Sequence, residues 1–219
     1  TLHGTGTYIV GRGKVAIIDP GPNLAEHVDA LLETVRGETV TDIVITHTHI
    51  DHSPATPAVK AATGATTWGF GPHGTPAGTV EVEEGADRDF VPDHEISDGD
   101  VIAGDNWTLE PIHTPGHTSN HLCVSLQEEN IMFSGDHVMG WSTSVISPPD
   151  GDMGDYLQSL RKLMTRDELR YWPTHGPAIE NPRPFVSAFI AHREKREIQI
   201  QKCLKQGLAT IPEMVEQLY

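Results

Sequence analysis

Residues 46–53 read THTHIDHS, placing three histidines and one aspartate within six positions directly after the apolar run Ile43-Val44-Ile45. Histidine is polar and titrates near neutrality, so three of them gain nothing from crowding unless they bind something. The stretch TDIVIT at 41–46 reads as a short buried strand that delivers the cluster at its carboxyl end. Loops at strand ends are where a rigid scaffold holds reactive groups. The chain is therefore expected to fold around strands whose other ends complete a metal site.

Three more stretches have the required form. TPGHT places His117 after a Pro-Gly turn, SGD places Asp136 at the end of an apolar strand, and YWPTHGP places His175 in the same context. Together these give one set of His47, His49 and His117, a second of Asp51, His52 and His175, and Asp136 as the carboxylate able to reach both. Nitrogen and oxygen donors of this kind suit Zn²⁺. Two such ions about 3.5–4 Å apart would hold a hydroxide that is already deprotonated near neutral pH. The expected cofactors are thus two divalent ions, Zn²⁺ foremost. Asp51, Asp136 and His175 are the expected catalytic residues: Asp51 orients the hydroxide, Asp136 bridges the ions, and His175 or a water supplies the leaving-group proton. His113, His121 and His137 flank these motifs and read as supporting or packing groups, whereas His3, His27, His73, His94 and His192 read as non-functional. Asp19, in IIDPG, reads as a turn residue.

Around the site, TYIV and VAIID read as strands joined by the loop GRGK. Residues 25–37 carry a helical stripe of Val28, Leu31, Leu32 and Val35, closed by Gly37. A short helix at 54–64 stops at Gly64, and a Gly- and Pro-rich acidic stretch to about Gly99 reads mostly as loop. Strands follow within 107–116, 121–127 and 130–138. A helix is expected over 154–172, with Tyr156, Leu157, Leu160 and Leu163 on one face, then a strand and turn at 170–177. Helices are expected at 184–207 and from Thr210, a plausible N-cap, to the last residue. Strands interleaved twice with helices favour an α+β sandwich with helices outside. The division expected is a sandwich domain over 1–181 and a helical extension over 182–219 that continues in a longer natural chain.

Charge is unevenly spread. The net charge is −16, and residues 81–100 hold nine acids against Arg88 alone, while residues 161–205 hold ten of the fifteen Lys and Arg against five acids. The first stretch reads as a solvated loop or as a flap that screens one side of a cleft. Overall acidity argues against a protein that coats duplex DNA. The basic stretch leaves an approach path for a smaller anion such as single-stranded RNA. No run is long enough for a membrane span, and residues 1–10 lack the pattern of a secretory leader. Cys123 and Cys203 read as buried free thiols, which suits a reducing compartment: the cytoplasm, or the mitochondrion in a eukaryote. The sequence does not indicate an oligomeric state.

THTHIDHS, TPGHT, SGD and THGP, in this order, resemble the signature of the metallo-β-lactamase superfamily across residues 8–180. GTGTYIVG, IIDPGP, TPGHTSNH, EENIMFSGD, HGPAI and HREKREIQI are most similar to the beta-lactamase-like protein two group. The resemblance implies an αββα sandwich with metals at one edge of its two sheets, Asp19 near the site as a support for a ligand rather than a mere turn residue, and a winged-helix-like tail of which this chain holds only the first helices. The human member of that group is a mitochondrial endoribonuclease, so single-stranded RNA is one implied substrate. True β-lactamases of the superfamily usually carry cysteine or serine at the position of Asp136, and di-iron flavoproteins usually carry glutamate at that of His49. Antibiotic hydrolysis and oxygen chemistry are therefore disfavoured. Glyoxalase II-type thioesterases and acyl-homoserine lactonases share all seven ligands, which keeps a small thioester, ester or lactone open as the alternative. Its acyl group would fit a cleft lined by Tyr8, Phe70 or Trp141. A metal-binding protein without catalysis is a further alternative, opposed by the presence of every ligand.

Overall fold

In the run Val15-Ala16-Ile17-Ile18 every side chain is buried, and the two-residue period of a strand sends alternate residues to opposite faces. Val15 and Ile17 join one apolar cluster, Ala16 and Ile18 another. A strand buried on both faces needs a layer on each side, and this dictates the architecture. The computed structural model describes residues 4–74 and 85–218.

The first sheet runs in the order β1 (Tyr8–Arg12), β2 (Lys14–Ile18), β3 (Thr39–Val44), β4 (Thr66–Gly69), β5 (His94–Glu95). The second comprises β6 (Ile102–Ala103), β7 (Thr108–His113), β8 (Leu122–Leu126), β9 (Ile131–Gly135), β10 (Arg170–Pro173) and β11 (Ile179–Glu180), in the order β11-β10-β9-β8-β7-β6. The helices are α1 (Ala25–Thr34), α2 (Thr56–Thr63), α3 (Met153–Leu163), α4 (Pro182–Lys205) and α5 (Ile211–Leu218). Ala16, Ile18 and Val44 of the first sheet meet Leu109, Leu122, Val124 and Phe133 of the second in the inter-sheet core. On the outer face of the first sheet, Ile17 and Ile43 pack against Val28 and Leu31 of α1 and Val59 of α2. On the outer face of the second, Met132 and Tyr171 pack against Tyr156 and Leu160 of α3 and Val186 and Phe189 of α4. The result is the expected αββα sandwich.

Strand direction gathers the site. β2, β3 and β4 are mutually parallel neighbours, so Asp19, His47 and Phe70 follow them at one edge. β9 and β10 are likewise parallel, and their ends release Asp136 and His175.

Several local expectations are corrected. The first hairpin turns at Gly13 alone, with Arg12 opposite Lys14, rather than through a four-residue GRGK loop; its φ of +77° is glycine territory. The helix expected over 154–172 ends at Leu163, because Asp167 falls where the next apolar residue of the stripe belongs. The acidic stretch read as loop contains β4 and β5. Asp93 holds β4 from outside, accepting from the backbone N–H and hydroxyl of Thr67 and from Lys60. Part of the flap expected at 81–100 lies outside the described residues. Residues 85–87, which are described, lie against the histidine loop: Ile50 donates to the Gly85 carbonyl and Asp87 to that of Thr48. Among the described residues, no helix is long and apolar enough to cross a membrane. Cys123 and Cys203 are buried free thiols.

Candidate metal centre

The loop after β3 is clamped from inside. Asp19, itself fully buried with φ of +49°, accepts from the backbone N–H of Thr46 at 2.8 Å, from its hydroxyl at 2.6 Å, and from His52 Nδ1 at 2.9 Å. Gly135, at the end of β9, lets Asp136 reach the same edge: a Cβ there would stand 2.6 Å from His121 Nε2. That nitrogen accepts from the backbone N–H of Asp136, while His121 Nδ1 pairs with the Thr114 hydroxyl. His121 thus supports the backbone beneath Asp136, and burial holds its pKa well below the usual value.

All seven residues singled out in the sequence converge. His47, His49 and His117 form one compact group, with His47 Nε2 and His117 Nε2 each 3.1 Å from His49 Nδ1. Two nitrogens ligating one tetrahedral zinc would stand about 3.3 Å apart. Asp51, His52 and His175 form a second group, with His52 Nε2 at 3.4 Å and His175 Nε2 at 3.3 Å from the Asp51 carboxylate. Asp136 Oδ2 lies between the groups, 3.3 Å from His175, 3.6 Å from His52 and 3.7 Å from His117. Its other oxygen accepts from the Thr174 hydroxyl at 2.5 Å.

The opposite nitrogen of four histidines faces an oxygen. His47 Nδ1 meets the Thr46 hydroxyl, His52 Nδ1 meets Asp19, His117 Nδ1 donates to the Val145 carbonyl at 2.7 Å, and His175 Nδ1 to that of Gly4 at 3.1 Å. Such partners turn the Nε2 lone pair inward, as metal-binding histidines require. His52 Nε2, His175 Nε2 and Asp51 Oδ1 are buried with no hydrogen-bond partner. Buried polar atoms are normally satisfied, so three orphans converging on one point fit a bound cation.

Electrostatics divide the groups. Burial, reinforced by neighbouring imidazoles, holds His47 well below its usual pKa and brings His49 down to about 3, leaving neutral rings with free lone pairs. Burial also opposes a proton on His52, but Asp136 and Asp19 outweigh it and raise the pKa well above normal. His175 is raised to about 10 against burial by the neighbouring carboxylates of Asp136 and Asp51. Despite burial, His52 and His175 hold Asp136 well below the carboxylate range, and His175, His52 and Thr5 hold Asp51 low.

Residues 2–175 match the family model described as the metallo-beta-lactamase superfamily. The chain belongs to that superfamily. A curated relative, the beta-lactamase-like protein 2 homolog of Caenorhabditis elegans, is 37% identical over 94% of the chain and 67% of its own length. The atrochrysone carboxyl ACP thioesterase AgnL7 of Paecilomyces divaricatus is 32% identical over 91% of the chain and 59% of its own length. A metallo-beta-lactamase family protein from Thermus thermophilus superposes with a TM-score of 0.73 at 22% identity, covering 89% of this chain and 76% of that one. The superfamily is one of hydrolases, and the chain's His/Asp clusters suit divalent metal.

Other supports of this metallo-beta-lactamase site are not evident from sequence. Thr5 donates to Asp51 Oδ2 at 2.6 Å. Buried Asn120 donates to the Thr48 hydroxyl at 2.9 Å and to the Gly71 carbonyl, tying the histidine loop to the end of β4. Ser144 Oγ donates to the carbonyls of Asp136 and His137, and Arg193 of α4 donates to the Ser144 carbonyl. Phe70 is not in the cleft; it stacks on His113 at 3.8 Å and packs against the inter-sheet core.

Proposed function

We propose that the chain is a dinuclear metal-dependent hydrolase acting on a small uncharged thioester, ester or lactone. The observation that carries the reaction is Asp136 Oδ2, placed between two groups of three potential ligands. His47, His49 and His117 would hold one ion, and Asp51, His52 and His175 the other, with Asp136 within reach of both groups. Zn²⁺ fits these donors. When bound, the ions supply Lewis acidity and make water nucleophilic at neutral pH. Asp51, whose Oδ1 faces into the site, would orient the attacking water, and Asp136, fixed by Thr174, sets the spacing between the groups.

The substrate choice rests on where the cations go. Arg161 pairs with Glu194, Lys162 with Asp98, Arg166 with Glu110 and Glu168, and Arg170 with Glu180. Four of the ten Lys and Arg in the basic stretch thus pair with the protein's own acids, which narrows the phosphate path expected for RNA. The likeness to an ACP thioesterase supports the acyl reading. A second reading, cleavage of single-stranded RNA, is favoured by the likeness to the beta-lactamase-like protein 2 homolog.

Elemental analysis of protein purified without chelator should give two divalent ions per chain; a value that never exceeds one under added metal excludes the dinuclear scheme. Parallel assays on an acyl thioester, an acyl lactone and a single-stranded RNA oligomer should give metal-dependent turnover of the first two. Asp136→Ala should lose both ions and that turnover, while His192→Ala, on an exposed helix face, serves as control. RNA cleavage without acyl turnover would replace the leading reading with the second.

A further inference from the structure

The stretch GTGTY at residues 4–8 touches two of the three members of the second ligand group. Thr5 donates its hydroxyl to Asp51 Oδ2 at 2.6 Å, and the Gly4 carbonyl accepts from His175 Nδ1 at 3.1 Å. Gly6 seats the segment. Its backbone N–H donates to the Thr174 carbonyl at 2.8 Å, and the Thr174 hydroxyl in turn donates to Asp136 Oδ1. A Cβ on Gly6 would stand 3.3 Å from the Tyr8 hydroxyl and 3.4 Å from that same carbonyl, so glycine lets the chain lie this close. Gly4 has φ of +86°, a conformation that glycine adopts without strain.

These contacts fall on the ligands that the core does not hold. His52 is fixed from inside by Asp19 at 2.9 Å, and its side chain is fully buried. Asp51 keeps 14% of its side chain exposed, so its carboxylate would turn freely without an outside partner. The Thr5 hydroxyl fixes that rotation and leaves Oδ1, which is buried and lacks a hydrogen-bond partner, 3.4 Å from His52 Nε2. Gly4, Thr5 and Gly6 also line, with Trp141 and Thr174, a cavity of about 540 Å³. With open space along one side, the segment is held by its hydrogen bonds more than by packing. The other ligand group takes its partners elsewhere, His47 from the Thr46 hydroxyl and His117 from the Val145 carbonyl.

We propose that Gly4-Thr5-Gly6 is a strap that sets the metal affinity of the Asp51, His52 and His175 position alone, with Thr5 as the positioning residue for Asp51. The proposal rests on the dinuclear reading above and adds to it which part of the chain decides whether the second position fills. Removing a partner that orients a metal ligand costs about 10–100-fold in metal affinity.

The test dialyses zinc-loaded full chain against buffers of graded free zinc and reads zinc per chain by elemental analysis. Thr5→Val keeps the shape and removes the hydroxyl. The free zinc that half-fills its second position should rise about 10–100-fold, while the first position keeps the wild-type midpoint. X-ray absorption of Thr5→Val holding one ion should show the three-histidine environment of His47, His49 and His117. Thr5→Ser should restore the wild-type midpoints. Gly4→Ala adds a Cβ that meets nothing within 4 Å, so it acts through φ alone and should weaken the second position by a smaller factor. Gly13→Ala carries the same strain at φ of +77° in the β1–β2 turn, again with nothing within 4 Å, and should leave both midpoints unchanged. Should Thr5→Val fail to fold, the two glycine variants decide. Unchanged midpoints in Thr5→Val and Gly4→Ala overturn the strap and leave the dinuclear reading standing. Equal weakening of both positions, or weakening by Gly13→Ala as large as by Gly4→Ala, also overturns it, since general loosening would do the same. Wild-type protein that never holds more than one ion overturns the dinuclear reading and the strap with it.

Discussion

The loop 46–53 and the segment 136–145 both bring candidate ligands to one edge of the sandwich, yet they are held in opposite ways. The first is gripped from within: one buried carboxylate, Asp19, takes three hydrogen bonds from Thr46 and His52. The second is strapped from outside. Arg193, on a helix beyond the second sheet, donates to the Ser144 carbonyl and lies over the Tyr156 ring at 5.6 Å, while the next carbonyl, that of Val145, receives His117 Nδ1. Val145 is itself 59% exposed. One half of the centre thus depends on a side chain in the core, and the other on main-chain oxygens of a surface loop whose anchor comes from α4.

This contrast breaks most sharply at Asp19. Asp19→Ala leaves a backbone N–H, a hydroxyl and an imidazole N–H buried without an acceptor, and should cost about 3 kcal/mol or more in denaturant unfolding. Affinity at the His52 group should fall about 10–100-fold, the effect of losing a partner that orients a metal ligand. X-ray absorption of the remaining zinc should show a histidine-rich environment from His47, His49 and His117. Asp19→Asn tolerates the positive φ, so it isolates the loss of charge from that of backbone fit. Equal loss of both ions in Asp19→Ala would show that the halves are not held separately.

Arg193→Met tests the other half and should act more gently, because the freed Ser144 carbonyl lies near the surface. A loss of about 1–2 kcal/mol is expected, and metal titration should find the ion of the His117 group weakened first. Loss of the His52-group ion first would overturn this assignment of the strap.

The smallest effect belongs to a pair that touches neither half. Lys162 meets Asp98 at 2.6 Å on the surface, and Asp98 also accepts from the His113 backbone N–H. Burial raises the Asp98 pKa, but Lys162 outweighs it and the net shift is downward. Since the folded-state pKa is depressed, the pair's contribution is present above the ordinary aspartate value and is lost as pH falls through the folded one. Asp98→Asn should therefore cost less than about 1 kcal/mol at pH 7. Its unfolding midpoint should converge with that of wild type as the medium becomes strongly acid.

The same division explains what was legible in the sequence. Candidate ligands are side chains of unusual type placed after strong apolar runs, and His47, His49, Asp51, His52, His117, Asp136 and His175 stand out for that reason. Ser144 and Val145 act through carbonyls, which every residue has, so nothing in WSTSV marks them. The motif HREKREIQI was visible as a likeness, but not the contact that Arg193 makes from it. Long strands and α1 could be read from periodicity. The four-residue β4 and the two-residue strands β5, β6 and β11 could not, because their pairing depends on neighbours remote in sequence. The number of cations at 161–205 was likewise plain, while their pairing with Glu110, Glu180 and Glu194 required the fold.

Those ion pairs also bear on how fast partners arrive. With four cations of the basic stretch matched locally to acids, the molecule presents to an approaching solute mainly the field of its net charge of −16. At low ionic strength that field reaches beyond 10 Å or so, and salt collapses it. A neutral ester or thioester should therefore meet the cleft at a rate indifferent to salt. A substrate tethered to an acidic carrier should arrive faster as salt is added, the reverse of what a cationic groove would produce.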